Sequence, residues 1–100
     1  NHTIIASAKA AVQGLTVTLA AEFAPSIRVN CIAPSLTDSK ISQSMLKSEV
    51  VAEALAKAHP LKRLGEGKDS ASLAGFLLGE GSSWVTGQII GVDGGRSRLS

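Results

Sequence analysis

An α/β domain organised on a parallel sheet is the fold class that this 100-residue sequence predicts. Three observations predict it. A long helix with an apolar stripe covers Ile4–Phe23, an almost wholly apolar strand covers Ile27–Ala33, and the order is helix, strand, helix, helix, strand. That order implies right-handed crossovers within one layer. Two strands cannot make such a layer, so the remainder of the sheet is expected from residues outside this chain.

Composition narrows the function classes. A 44% hydrophobic content and a mean hydropathy of +0.21 are high for a free-standing unit of this length, so much apolar surface is expected to meet neighbours. The formal charge is +2 and the basic residues are scattered singly, which provides neither a stripe for nucleic acid nor a polybasic block for lipid. The one cysteine, Cys31, cannot form an internal disulfide and reads as a small core residue, which points to a reducing cytoplasmic compartment. No apolar run reads as long enough to span a bilayer, and no leader precedes a cleavage site, so no membrane partner is expected. The absence of an initial methionine reads as a piece of something longer.

The first helix carries the most information. At helical spacing Ile5, Val12, Leu19 and Phe23 fall on one stripe, and Lys9 falls within it. An ammonium buried there must lose its proton, find an anion or reach hydroxyls, whereas a lysine that only snorkels lays its stem on the stripe and its charge in water. Ala10, Ala11, Gly14 and Ala21 leave the opposite face nearly free of bulk, so a partner helix is expected against it. Asn1 or Thr3 can cap the start, and His2 lies two turns from Lys9. Ala24-Pro25 ends the helix, since proline has no N–H to continue the ladder.

Ile27–Ala33 then reads as a strand buried on both faces. Pro34 to Ser39 is a hydroxyl-rich turn at its carboxyl end, the position where open α/β sheets meet ligands; Thr37, Asp38 or Ser39 could equally cap a following helix. Lys40 to His59 carries two weak helical patterns, Ile41–Leu46 and Glu49–Ala58, suited to a lid. Pro60 to Gly67 is a breaker-rich turn, and Lys68-Asp69 opens a helix whose apolar face is Ala71, Leu73, Ala74, Phe76, Leu77 and Leu78. Gly79 to Ser83 closes it. Gln88–Val92 is a short second strand, followed by the sharp turn Asp93-Gly94-Gly95.

Four motifs stand in order: A-x-A-K-A-A-V-x-G-L-T-x-x-L-A-x-E-x-A-P, IRVN-x-IAPS, HPL-x-R-x-G and WVTGQIIGVDGG. Together they span essentially the whole chain, which resembles the carboxyl-terminal part of the short-chain dehydrogenases/reductases. The resemblance implies the carboxyl-terminal portion of a doubly wound parallel Rossmann sheet, incomplete in this chain, which forms one fragment of a single domain over residues 1–100. It also implies NAD or NADP as cofactor, a small-molecule carbonyl or alcohol as substrate, and a homo-oligomer, dimer or tetramer. The family's glycine-rich phosphate loop, its NAD/NADP selector and its substrate-side serine are not among these residues, so the chain alone is not expected to be active.

In the family, a tyrosine four residues before the helix lysine exchanges a proton with substrate while the lysine holds the cofactor ribose and lowers the phenol's pKa. Lys9 matches that lysine, which makes it the catalytic and ribose-binding candidate. Ile5 occupies the tyrosine position, and the chain has no tyrosine. His2, Ser7 or a residue elsewhere in the protein are the candidate replacements. Pro34, Ser35, Thr37 and Ser39 match the family's nicotinamide loop, with Ser35 where glycine is usual, Thr37 presenting its backbone and Ser39 its hydroxyl to the carboxamide. Leu36 to Ala58 corresponds to the substrate loop. No metal ligands are assigned. The competing expectation is a catalytically silent nucleotide-binding or assembly protein of the same fold.

Overall fold

The computed structural model describes residues 2–38, 43 and 46–99. Its elements are α1 (His2–Phe23), β1 (Cys31–Pro34), α2 (Glu49–Lys57), α3 (Gly67–Leu78), a 3-10 turn (Glu80–Ser82), β2 (Ile89–Val92) and α4 (Arg96–Leu99). The two strands pair. The Cys31 N–H meets the Gln88 carbonyl at 2.8 Å and the Ser35 N–H meets the Val92 carbonyl at 3.2 Å. The register therefore advances equally along both strands, which makes the pair parallel, as expected. The chain divides into two compact units, Asn1–Cys31 with Phe76–Ile90, and Ile32–Gly75 with Gly91–Ser100.

In the first unit α1 already includes Thr3, so that residue is a helix member and not the expected cap. Asn1, the other candidate cap, lies outside the described residues. The ladder stops where Pro25 has no N–H for the Ala21 carbonyl; the Ala24 N–H still reaches Ala20 at 3.1 Å, and the Ser26 and Ile27 N–H groups both turn back onto Phe23. The face that packs is Thr16, Leu19 and Ala20. Thr16 returns its hydroxyl to the Val12 carbonyl at 2.8 Å, and the backbone at Gly87 approaches the Ala20 methyl so closely that a Cβ there would lie 3.5 Å from it.

Several expectations about α1 are corrected. Residues 2–15 are exposed throughout, Ile5 and Val12 by about half, and Lys9 is exposed with them, so the ammonium is not buried in this chain. The physical reason is that within its own unit the helix packs only from Thr16 onward, so of the stripe that periodicity aligns only Leu19 finds a surface. By length and composition, with a mean hydropathy of 1.4, α1 is also long and apolar enough to cross a membrane, contrary to the sequence expectation. Lys9 and Gln13, one turn apart on one face, and Glu22 on another interrupt that apolarity.

β1 is shorter than the expected Ile27–Ala33, and Cys31, Ile32 and Ala33 are half-buried instead of covered on both faces. Before Cys31 the Gly87 N–H still meets the Val29 carbonyl at 2.8 Å, and side chains supply the other pairings. The Val29 N–H donates to the Thr86 hydroxyl at 3.1 Å, Asn30 donates to the Val85 carbonyl at 3.0 Å and its amide oxygen accepts from the Gln88 N–H at 3.1 Å.

Arg28 closes the carboxyl end of α3. Its Nη2 donates to the Leu77 and Gly79 carbonyls at 3.0 and 3.2 Å, and its Nη1 donates to the Ser82 carbonyl and hydroxyl, both at 3.0 Å, and to the Val85 carbonyl at 3.3 Å. These are carbonyls that a helix end leaves without intrahelical donors. Ser82, wholly buried, donates its own hydroxyl to the same Leu77 and Gly79 oxygens.

In the second unit Ser48 caps α2, accepting from the Val51 N–H at 3.4 Å, with Glu49 in the first turn and Lys57 in the last, each matched to the helix dipole. The expected Ile41–Leu46 pattern falls mostly outside the described residues; Leu46 N–H turns back onto the Gln43 carbonyl at 3.1 Å. In α3 the inward residues are Leu73, Ala74 and Leu77, whereas Ala71, Phe76 and Leu78, expected on the same face, are exposed. After β2 the chain reverses through Gly94 and Gly95, both at positive φ (60° and 88°); a Cβ on Gly95 would come within 3.0 Å of the Leu99 side chain.

Candidate functional site

The loop that leaves β1 is held from both sides in the second unit. Ser35 N–H pairs with β2, and two residues later Thr37 bridges Gly65, with the Gly65 N–H on the Leu36 carbonyl (3.1 Å) and the Asp38 N–H on the Gly65 carbonyl (2.9 Å). The approach at Gly65 is tight: a Cβ would sit 3.0 Å from the Thr37 hydroxyl oxygen, which would have to shift by a few tenths of an ångström. Thr37 also donates its hydroxyl to the Ser35 carbonyl at 3.0 Å. Ser35 is not at positive φ, so the side chain in place of the family's usual glycine is carried without backbone strain.

This loop borders a cavity of about 320 Å³ whose polar lining includes Ser35, Thr37, His59, Arg63, Asp69 and Asp93. Arg63 grips Asp69 with both guanidinium nitrogens, each at 2.9 Å, and the Glu66 N–H reaches the same carboxylate at 2.7 Å. Asp69 is the third residue of α3 and thus completes a capping-box contact to the residue before the helix. The Arg63 guanidinium, then the Glu66 N–H, hold its carboxyl well below the usual carboxylate range. The Ser97 hydroxyl, then the Gly95 N–H, lower the pKa of Asp93 as well.

A depressed folded-state pKa contributes stability that is present above the unfolded value, about 3.9, and lost as pH falls through the folded one. The urea midpoint is therefore expected to fall on acidification from about pH 6 to about pH 3, and less steeply in Asp69→Asn than in the parent, as urea titrations at the two pH values would read. Parallel behaviour of the two proteins would remove Asp69 from that account.

Of the sequence candidates, Pro34, Ser35 and Thr37 come together here: Pro34 ends β1 exposed, and Ser35 and Thr37 are half-buried at the cavity. Ser39 lies outside the described residues. Lys9 belongs to the first unit, as do His2 and Ser7, all on the exposed part of α1. Sequence reasoning missed His59. Its ring is 2% exposed, with Nε2 at 2.9 Å from the Ser35 hydroxyl and Nδ1 at 2.8 Å from the Leu55 carbonyl. The available signal was its place between a helix end and Pro60, where a histidine meets orphan carbonyls. Among the described residues, no group of three or more His, Cys, Asp or Glu side chains is placed to hold a metal ion.

A parallel strand pair flanked by helices, with a polar loop and a cavity at the carboxyl end of β1, is part of a Rossmann-type α/β fold. Comparison with known proteins agrees. Residues 1–97 match the family model described as Enoyl-(Acyl carrier protein) reductase. An uncharacterized short-chain type dehydrogenase/reductase, y4mP, of Sinorhizobium fredii is 44% identical over 89% of this chain and 35% of its own length. The solved structure of a short-chain type dehydrogenase/reductase from Mycobacterium ulcerans superposes with a TM-score of 0.81 at 40% identity, covering 88% of this chain and 32% of that one. A 4-hydroxyisoleucine dehydrogenase mutant complexed with NADH and succinate superposes with a TM-score of 0.85 at 26% identity, over 91% of this chain and 38% of that one. The chain belongs to the short-chain dehydrogenase/reductase family. It spans about a third of the length of the curated relatives it matches.

Proposed function

We propose that this chain is part of an NAD(P)-dependent oxidoreductase acting on a carbonyl/alcohol pair, in which Ile5 stands at the position of the family's proton-donating tyrosine. The observation that carries the reading is the collinear family match over residues 1–97, which includes both the Lys9 helix and the loop after β1. Support for a nicotinamide cofactor comes from the NADH-bound 4-hydroxyisoleucine dehydrogenase among the structural neighbours. The cofactor supplies the hydride acceptor or donor when bound.

The residues present suit such a group. Ser35 and Thr37 put hydroxyl and backbone polar groups at a cavity rim, and with Pro34 and Ser39 they would hold the carboxamide end. Lys9 would hold the ribose hydroxyls and supply positive charge beside the reacting oxygen. Since Ile5 exchanges no proton, the acid or base is assigned to a residue elsewhere in the protein. The small face of α1, with Ala10, Ala11, Gly14 and Ala21, suits association with a second copy of the chain, and a cytoplasmic homo-oligomer without nucleic-acid or membrane partners completes the proposal.

The alternative, a catalytically silent nucleotide-binding or assembly protein, is favoured by one observation, the aliphatic residue at position 5. Turnover of nicotinamide by the intact protein across a panel of carbonyls and alcohols distinguishes the two. Lys9→Ala is expected to lower kcat/KM on the order of 10²-fold, the effect of removing a positioned charge from a reacting site. Cofactor binding without turnover on any substrate would decide for the silent protein.

A further inference from the structure

We infer that His59 is a positioning residue that sets both the place and the hydrogen-bonding polarity of Ser35 in the nicotinamide loop; this rests on the proposed cofactor site. At its carboxyl end α2 runs out of intrahelical donors. Four carbonyls there, Ala54 to Lys57, need donors from beyond the helix. Ala54 is met by the Ala58 N–H, Ala56 by the His59 N–H, and Lys57 by the Lys62 ammonium at 2.9 Å. The His59 N–H has thus turned to Ala56, and the Leu55 carbonyl would be left over. The His59 ring fills that place with Nδ1 at 2.8 Å.

A carbonyl can only accept, so Nδ1 carries the proton, and in the neutral imidazole Nε2 is then an acceptor. The Ser35 hydroxyl, 2.9 Å away, must be the donor. Its one proton is committed inward, and what it offers the cavity is lone pairs. The ligand group that meets Ser35 must therefore be an N–H or O–H donor, the character of a primary carboxamide's NH₂.

Position is set by the same ring. The Leu61 N–H bonds the Gly94 carbonyl at 3.1 Å, and the backbone at Gly94 packs beside His59, where a Cβ would be in ordinary contact with the His59 Cβ at 3.5 Å. His59 is pinned between α2 and the turn after β2, and it passes that rigidity to the loop after β1. A ring 2% exposed with both nitrogens partnered has no freedom to re-aim without orphaning a buried group.

The test uses the intact protein and two kinds of readout. Long-range ¹H–¹⁵N spectra of the imidazole are expected to place the proton on Nδ1, with the Nε2 resonance moving in Ser35→Ala; a proton on Nε2, or an Nε2 resonance indifferent to Ser35→Ala, overturns the inference. In His59→Leu the amides of Ser35 and Asp38 are expected to exchange about tenfold faster, and the Kd for NADH or NADPH by calorimetry to rise about tenfold, the scale of one lost hydrogen bond; His59→Gln, which keeps a polar side-chain end, is expected to recover most of both. The double variant Ser35→Ala/His59→Leu should bind no more weakly than Ser35→Ala, since the imidazole then has nothing to hold; additive losses sink the inference. If neither nucleotide binds the parent protein, the cofactor reading fails, while the proton position and the amide exchange still decide the role of His59. If His59→Leu does not fold, the Ser35→Ala spectrum and His59→Gln carry the decision.

Discussion

Ile5→Tyr is expected to raise the carbonyl-reducing turnover of the intact protein by about 10² to 10⁴, the range contributed by a positioned general acid. Position 5 lies one helical turn before Lys9 on α1, so the two side chains share a face and a phenol there stands next to the ammonium. That charge favours the phenolate and draws the tyrosine pKa downward, toward the range in which proton exchange with a carbonyl oxygen is efficient. Ile5 is 52% exposed, so the larger ring meets no packed neighbour within its own unit. The measurement is kcat and kcat/KM against pH for both proteins, where the variant should acquire a basic limb that Ile5→Tyr/Lys9→Ala shifts upward. No gain would mean that the surrounding site has diverged beyond this residue, or that proton transfer is already supplied from another part of the protein.

The second large effect concerns stability. Arg28→Met is expected to cost about 1.5 to 3 kcal/mol, because it removes a cation whose hydrogen bonds to carbonyls are of the stronger, charge-assisted kind and leaves each of those carbonyls with only a neutral donor. The oxygens that lose the guanidinium are those of Leu77 and Gly79, which keep the Ser82 hydroxyl, of Ser82, which keeps the Val85 N–H, and of Val85, which keeps the Asn30 amide. Ser82 is fully buried, so water cannot replace the guanidinium at its side without opening the turn. Arg28→Lys is expected to recover only a minor part, since a single ammonium cannot donate to both groups of oxygens from one position. Urea unfolding of the three proteins measures this; a midpoint shared by Arg28→Met and the parent would show that the turn finds other donors.

Both expectations begin from residues in plain view in the sequence, but they were legible to different degrees. The lysine helix, the loop after β1 and the closing strand were recognisable as ordered motifs. The departure at Ile5 is what the family resemblance implies, at the position four residues before Lys9. The alternation and saturation of Ile27–Ala33 marked a strand, yet they could not reveal that Asn30 and Thr86 supply part of the pairing at its beginning, because each partner lies more than fifty residues away along the chain. Arg28 looked like one of several scattered cations, and His59 like part of a breaker.

What the chemistry of the chain determined by itself is local. Pro25 ends α1 because it has no N–H; Ser48 starts α2 because its hydroxyl accepts; Asp69 starts α3 because its carboxylate reaches back to the Glu66 N–H; and Ile5 cannot exchange a proton in any fold. What the tertiary structure alone decided is which unsatisfied group each side chain meets. It gave the Leu55 carbonyl and the Ser35 hydroxyl to His59 and gave the end of α3 to Arg28. The reason is that a helical or extended period states which residues share a face, whereas the partner of that face, and of each carbonyl orphaned at a helix end, is brought there by chain remote in sequence.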